Sequence, residues 1–135
     1  MTRERVTLDT GVMMLHFADD KQVRATMARI QDGTLESHTC ETNLAELYYK
    51  TCETFGSEVA ELRTTAIRNS SIEIHNVDEI LTERAGFLKC KYRGKISLAD
   101  AYMLATSLEH RCRLITTDPA LKELAVVPTT FFSNL

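Results

Sequence analysis

The stretch Val6-Thr7-Leu8-Asp9 is short and apolar and ends in a carboxylate. The same pattern returns near the other end of the chain, in Leu114-Ile115-Thr116-Thr117-Asp118. Both stretches predict buried strands. In open parallel sheets, ligands bind outside the carboxyl ends of the strands, so both aspartates are expected at that edge. A buried aspartate needs a partner for its charge, which makes Asp9 the strongest single candidate for a functional residue.

The intervals between the predicted strands carry helical periodicity. Val23, Met27 and Ile30, for example, recur at spacings of four and three residues and predict one buried helix face. Further strand candidates are residues 35–39, 72–74 and 126–127, the last an edge strand stopped by Pro128. This alternation predicts an α/β fold with a central parallel sheet of about four to five strands flanked by helices. The length predicts a single domain over residues 1–135.

Local signals also predict where helices begin and which side chains they bury. Helix caps are expected at Thr42 or Asn43, at Asn76 and at Ser97. Core packing is the expectation for Leu62, Leu108, Tyr48, Phe55 and Phe87, whereas Tyr49 falls off the apolar stripe and is expected to be exposed.

Composition places the chain among ordinary globular proteins. It has 135 residues, of which 44% are hydrophobic and 26% charged, with a formal net charge of -3. This balance argues against a strongly basic nucleic-acid coat protein, although a local basic strip can still bind phosphate. The longest apolar run is far too short for a membrane span and no signal peptide is evident, so a soluble, cytoplasmic protein is expected.

The four cysteines and four histidines do not suggest a metal site by their spacing. No two cysteines are separated by only two residues, so a zinc ribbon or thioredoxin motif is not predicted. Cys40 and Cys112 lie in or beside apolar segments and are expected to be small buried thiols. The histidines are interpreted as structural or surface residues.

Two further carboxylates can reach the same sheet edge. Asp100 falls in the first turn of a helix that Ser97 opens, and Glu46 lies about one turn into another helix. If the fold gathers these two with Asp9 and Asp118, the like charges raise one another's pKa, and a divalent ion relieves the repulsion. Oxygen ligands favour magnesium or manganese over zinc. The alternative for each is a structural one: a capping-box partner, a helix start or a solvated glutamate.

A basic segment precedes Asp100. Lys89, Lys91, Arg93 and Lys95 cluster there, with Tyr92 among them. Such a segment suits a phosphate backbone and a stacked base, and single-stranded RNA is the expected substrate. A solvated loop that keeps the protein soluble is the alternative.

Four segments together resemble the PIN domain, and more narrowly the VapC-type toxin ribonucleases. They are Leu8-Asp9-Thr10, Thr42-Asn43-Leu44-Ala45-Glu46-Leu47, Ser97-Leu98-Ala99-Asp100-Ala101 and Leu114-Ile115-Thr116-Thr117-Asp118. The resemblance implies that the metal-binding acids are Asp9, Glu46, Asp100 and Asp118. It also implies that the Thr116 hydroxyl steadies the site and that Thr10 fills a small polar position, where it is a candidate substrate contact. One departure is Gly11, where family members often carry a polar residue.

The resemblance implies a reaction and partners. One or two Mg²⁺ or Mn²⁺ ions would activate water for hydrolysis of RNA, leaving a 5′-phosphate and a 3′-hydroxyl. A homodimer and a VapB-like antitoxin are implied as well. Alternatives are a PIN nuclease in RNA processing and a non-catalytic PIN-like scaffold. A phosphoryl-transfer enzyme is disfavoured, because Gly11 stands where haloacid-dehalogenase-like enzymes need a second aspartate.

Overall fold

A computed structural model describes residues 3–133 of the chain. Within them, strands and helices alternate in the order β1 (Glu4–Leu8), α1 (Thr10–Phe17), α2 (Lys21–Gln31), β2 (Leu35–Cys40), α3 (Glu41–Phe55), α4 (Ser57–Arg68), β3 (Glu73–His75), α5 (Glu79–Lys91), α6 (Leu98–His110), β4 (Arg113–Thr116), α7 (Pro119–Leu124) and β5 (Thr129–Phe131).

The five strands form one sheet in which all neighbours are parallel, in the order β3-β2-β1-β4-β5. The central strand β1 pairs with β2 on one side, Thr7 opposite His38, and with β4 on the other, Leu8 opposite Ile115. Because the strands are parallel, every carboxyl end lies at the same edge. The predicted α/β fold with a parallel sheet is therefore confirmed, with five strands.

Helices cover both faces of the sheet and bury a separate apolar cluster on each. Val6 and Leu8 face the layer of α1 to α4, together with Ile115. Leu114 faces the opposite layer, which α5, α6 and α7 form. Alternate residues of one strand thus serve different layers, as the two-residue repeat of a strand requires. Thr7 points to the second layer, where its hydroxyl lies 2.6 Å from that of Ser107.

Several local predictions were wrong in position. The last strand, β5, follows Pro128 instead of preceding it, and the Pro128 carbonyl accepts a hydrogen bond from Leu114 N at 2.8 Å. Helix α3 begins at Glu41 directly after β2, so Thr42 and Asn43 lie inside its first turn. Helix α5 is capped by Asp78, whose side chain accepts from Leu81 N, and not by Asn76.

Several apolar side chains expected in the core are on the surface. Leu62 is 70% exposed, and Leu108, Phe55 and Phe87 are exposed as well. Phe55 and Leu108 continue the buried stripes of α3 and α6 but lie near the ends of these helices, whereas Leu62 and Phe87 lie off the buried positions of α4 and α5. Tyr49 is exposed as predicted.

The cysteine prediction is confirmed, since Cys40 and Cys112 are buried and all four thiols are free. Among residues 3–133, no helix is long and apolar enough to cross a membrane.

Candidate active site at the carboxyl edge of the sheet

Asp9 stands at the carboxyl end of the central strand and is only 8% exposed. Its backbone N–H donates to Ile115 O at 3.0 Å, which extends the pairing of β1 and β4 by one residue. Its side chain caps α1, with Oδ1 accepting from Val12 N at 3.3 Å. Its Oδ2 accepts a hydrogen bond from the Thr116 hydroxyl. Both oxygens of this buried carboxylate therefore have donors.

Thr116, the last residue of β4, connects Asp9 to Asp118. Its hydroxyl donates to Asp9 and accepts from the backbone N–H of Asp118 at 3.0 Å. Asp118 in turn caps α7, because its Oδ1 accepts from Ala120 N at 2.9 Å and Pro119 occupies the first turn. The other oxygen, Oδ2, is free of the cap.

Asp100 belongs to the capping box that the sequence predicted at the start of α6. Its Oδ2 accepts from Ser97 N at 3.0 Å, and Ser97 Oγ accepts from Asp100 N at 3.1 Å. A carboxylate in this position is also stabilised by the positive end of the helix dipole.

Glu46 lies in the second turn of α3 with a side chain that is 13% exposed. Lys50, one turn further on, places its Nζ 3.6 Å from Glu46 Oε2. Lys50 is therefore a cation at the margin of the acidic group, and the sequence analysis did not identify it.

The pKa shifts indicate that these carboxylates share one electrostatic environment. Burial raises the pKa of Asp9, the charge of Asp100 adds to this, and hydrogen bonds from Thr116, Val12 and Gly11 oppose it. Burial likewise raises the pKa of Asp100, and the charges of Asp118 and Glu46 add to it against the bonds to Ser97. Asp100 therefore interacts electrostatically with each of the other three acids: its charge raises the pKa of Asp9, and the charges of Asp118 and Glu46 raise its own.

The donor set fits a hard divalent cation, because it consists of carboxylate oxygens and one hydroxyl. Within the described residues, no three of these acids bring their donor oxygens within 4.8 Å of one another. The capping bonds explain the separation, since Asp100 and Asp118 each direct one oxygen toward a helix N-terminus. A shared cation would draw the remaining oxygens together.

The basic segment lies alongside this edge, and its members differ in availability. Lys89 donates to Ile96 O at 2.7 Å and so closes the turn between α5 and α6. The Lys91 ammonium lies 5.3 Å from the centre of the Tyr92 ring. Arg93 and Lys95 are exposed, and Lys95 shares a groove with residues of α7, the helix that Asp118 caps.

The model of the PIN domain family matches residues 6–127. The chain belongs to the PIN domain family. Comparison with curated protein sequences finds no match. Three solved structures that resemble this PIN domain are 16% to 20% identical to it, so they bear on its fold.

One similar structure is VapBC2 from Rickettsia felis bound to a promoter DNA fragment, with 16% identity, a TM-score of 0.73 and coverage of 94% of this chain and 98% of that one. A toxin–antitoxin complex from Klebsiella pneumoniae has 20% identity, a TM-score of 0.67 and coverage of 95% and 98%. Mycobacterium tuberculosis VapC20, described as a toxin that cleaves the sarcin-ricin loop, has 17% identity, a TM-score of 0.62 and coverage of 81% and 86%.

The glycine that departs from the PIN pattern has a steric reason here. A Cβ atom on Gly11 would lie 2.1 Å from Thr117 Oγ1 and 3.1 Å from Asp9 Oδ1. The Thr117 side chain therefore occupies the space that a side chain at residue 11 would fill. Sequence analysis missed this role of Thr117, because the contact joins residues at opposite ends of the chain.

Asn43 is a second residue that sequence analysis of this PIN domain misplaced, since it was expected only as a cap. Its side chain is buried, donates from Nδ2 to Ala99 O at 3.1 Å and accepts from Cys40 Sγ at 3.0 Å. The hydroxyl of Thr10 donates to Asn43 O at 3.5 Å. Asn43 thus joins α3, which carries Glu46, to Ala99 in the first turn of α6, next to Asp100. Thr10 is buried in this contact, which points to a packing role.

Proposed function

We propose that this PIN domain, taken as one nuclease domain over residues 1–135, is a metal-dependent endoribonuclease and the toxin of a VapBC-type toxin–antitoxin pair. The observation that carries the proposal is the geometry at the carboxyl edge of the sheet, where Asp9 and Asp118 follow adjacent parallel strands and both bond to Thr116; the charges of Asp100 and Glu46 act on the same group. Acids that share a site at this energetic cost are typical of functional sites.

Asp9, Glu46, Asp100 and Asp118 are the proposed ligands of one or two Mg²⁺ or Mn²⁺ ions. When bound, the ion supplies a water of lowered pKa and positive charge for the phosphate. Thr116 contributes by fixing the rotamer of Asp9 and by stabilising its ionised form, since a hydrogen bond to a carboxylate favours the charged state. Burial of Asp9 excludes bulk water from one side of the site.

The substrate side of the proposal rests on the basic segment. Arg93 and Lys95 are exposed beside α7, and Tyr92 with Lys91 offers a ring and a charge for an unpaired base and its phosphate. Lys89 is assigned a structural role, because its ammonium is held by the Ile96 carbonyl.

The proposed partner is a VapB-like antitoxin. The similarity of the fold to chains in the Rickettsia felis and Klebsiella pneumoniae complexes supports this part of the proposal. A homodimer and a cytoplasmic location belong to the same proposal. A small reading frame for a DNA-binding protein directly beside this one would support the toxin assignment.

The test is cleavage of a defined structured RNA in Mg²⁺ or Mn²⁺ by the wild type and by the Asp9→Asn and Asp100→Asn variants. Each variant is expected to lose about 100-fold or more in rate, the usual effect of removing one group from a preorganised charged site. Asp78→Asn is the matched control, because Asp78 also caps a helix but lies on α5. It should cut at the wild-type rate.

Full activity of both site variants would show that the carboxylates are assigned wrongly. Activity of the wild type in EDTA would contradict the metal dependence. An inactive wild type that still binds RNA through Arg93 and Lys95 would favour a non-catalytic scaffold.

A further inference from the structure

Three histidines that the sequence did not connect meet on the face of the sheet opposite α1. His38 comes from β2, His75 from the edge strand β3 and His110 from the last turn of α6. Their rings are stacked, with centroids 3.9 Å apart for His75 and His110 and 4.9 Å apart for His38 and His110. One ring nitrogen of each lies within 4.8 Å of the others.

The hydrogen bonds of His38 define which of its nitrogens is free to act as a ligand. Its Nε2 lies 2.6 Å from Glu36 Oε2. The pKa of Glu36 is lowered, chiefly by this bond, so Glu36 is an ionised acceptor and His38 Nε2 carries the hydrogen. In the neutral ring, Nδ1 then has its lone pair directed at His75 Nε2, which is 2.8 Å away.

A carboxylate that binds the far nitrogen of an imidazole is the arrangement that orients metal-binding histidines in proteins. Glu36 has this relation to His38. Glu73 has a different one, since its Oε2 lies 3.5 Å from His38 Nδ1, on the side of the cluster. The Glu73 side chain is 61% exposed and lies beside the cluster, which makes it a candidate fourth ligand.

The charges around the cluster favour a cation overall. Glu36 is paired with Arg3 at 3.0 Å and with Arg5 at 3.1 Å, so the negative charge beside the cluster comes from Glu73 and Glu109. Burial lowers the pKa of His75 and of His110, and neighbouring histidines add to the effect. Neutral imidazole is the form that binds metal ions.

We propose that His38, His75 and His110 form a binding site for a borderline transition-metal cation, with Zn²⁺ as the test ion, separate from the acidic site. Imidazole donors select zinc, nickel and copper, whereas the carboxylates beside Asp9 select magnesium and manganese. The two sites therefore differ in ligand chemistry as well as in place.

Coordination requires the side chains to reorient. Two imidazole nitrogens held by zinc at about 2.0–2.1 Å are about 3.3–3.4 Å apart at a tetrahedral angle. Zinc would take the place of the hydrogen between His38 Nδ1 and His75 Nε2, so the His75 ring must carry its hydrogen on Nδ1 and the two nitrogens must separate by about half an ångström from 2.8 Å. The stacked rings of His75 and His110 must turn so that each lone pair meets the ion. Both residues are partly exposed, so this rotation leaves the core intact.

An ion bound by the three histidines would link the short edge strand β3 and the last turn of α6 to β2. The consequence is a resistance to unfolding that depends on zinc concentration, because a ligand that binds only the folded state stabilises it by mass action.

The test uses the full chain without a polyhistidine tag. Zinc stoichiometry is measured by equilibrium dialysis and the thermal unfolding midpoint by calorimetry, for wild type, His75→Gln, His110→Gln and His16→Gln. His16 is the matched control, since it is the one histidine of the four outside the cluster, on α1. Wild type and His16→Gln should bind one equivalent that excess Mg²⁺ does not displace, and their midpoints should rise with zinc.

His75→Gln and His110→Gln should bind this zinc more weakly by about 100-fold or more and lose the rise in midpoint. Zinc bound equally by these variants, or none bound by the wild type, overturns the proposal. Asp100→Asn is measured as well. If this variant loses the bound zinc, and if Mg²⁺ displaces the zinc from the wild type, the ion belongs to the acidic site and the histidine proposal is overturned. Failure of this site leaves the proposed nuclease untouched, because the two ligand sets share no residue.

Discussion

Thr116 donates its hydroxyl hydrogen to Asp9 and accepts a hydrogen bond from the backbone of Asp118, so a single side chain couples two of the candidate acids. Through these two hydrogen bonds, the buried hydroxyl links the carboxyl end of β1 to the residues that follow β4. Without this hydroxyl, the hydrogen bonds to the buried Asp9 charge would come only from the backbone N–H groups of Val12, at 3.3 Å, and of Gly11.

Replacing Thr116 by valine tests this coupling. The change keeps the shape and removes the hydroxyl, so we expect a loss of about 1.5–3 kcal/mol in the free energy of unfolding, the usual value for a hydrogen bond to a charged group. The pKa of Asp9 should rise further, because the Thr116 bond lowers it. Nuclease activity should therefore require a higher pH, which a pH–rate profile measures. Thr116→Ser keeps the hydroxyl and should behave like the wild type; an unchanged profile in Thr116→Val would contradict the role of the hydroxyl.

The pH dependence of stability provides a second prediction. The pKa values of Asp9 and Asp100 are raised above the ordinary 3.8 in the folded chain, mainly by burial. The folded state then holds more protons than the unfolded state. The free energy of unfolding should fall as the pH rises from 3.8 through the raised values, where both carboxyls ionise.

Urea unfolding in EDTA between pH 4 and pH 7 measures this slope. Asp100→Asn should show a shallower slope and should be at least as stable as the wild type at pH 7. In a separate measurement without EDTA, magnesium should stabilise the wild type more than the variant. Asp32→Asn is a control of opposite sign, because the bonds from Thr34 lower the pKa of Asp32 and its contribution is lost as the pH falls. A steeper slope in Asp100→Asn would refute the repulsion among the acids.

Gly11 and Gly86 form a pair of substitutions with opposite expected results. Alanine at residue 11 places its Cβ against Thr117 Oγ1 and 3.1 Å from Asp9 Oδ1, so we expect a loss of about 1–3 kcal/mol and reduced activity. Alanine at residue 86, inside α5, meets no atom within 4 Å and should stabilise by about 0.5–1 kcal/mol. Chemical unfolding of both variants measures the difference, and equal effects would contradict the crowding at Gly11.

The basic segment makes a prediction about salt. Arg93→Ala with Lys95→Ala should weaken RNA binding at low salt and reduce the slope of log affinity against log salt by about 1.4, near 0.7 for each lost phosphate contact on a single strand. Lys21→Ala with Arg24→Ala, on the distant helix α2, is the control and should leave the slope unchanged. Fluorescence anisotropy with a labelled RNA measures both, and an unchanged slope in the first variant would remove these residues from the interface.

Much of the sheet edge could be predicted from sequence, because its signals are local. An apolar strand followed by an aspartate defines Asp9 and Asp118, and the Ser97–Asp100 spacing defines a capping box that the structure contains. Parallel pairing then brings these local features to one edge without any further specification. The position of β5 was missed because a short stretch after a proline carries too little periodicity.

The relations that sequence could not show are those between distant elements. His38, His75 and His110 have no common spacing, since they are assembled by the pairing of β2 with β3 and by the angle of α6. Thr117 and Gly11 are complementary in shape across the whole chain. Lys89 looked like any other cation of its segment until its contact with the Ile96 carbonyl was known.

The four acids differ in how much the stability of the fold depends on them, because only three of them cap helices. Asp9, Asp100 and Asp118 each hold the start of a helix, so selection for a stable fold alone would preserve them in a descendant that no longer cuts RNA. Glu46 makes a partly exposed ion pair with Lys50, an interaction of about 0–1 kcal/mol that the fold can lose without harm. In a relative that has lost nuclease activity, position 46 is therefore expected to be the first of the four to lose its carboxylate.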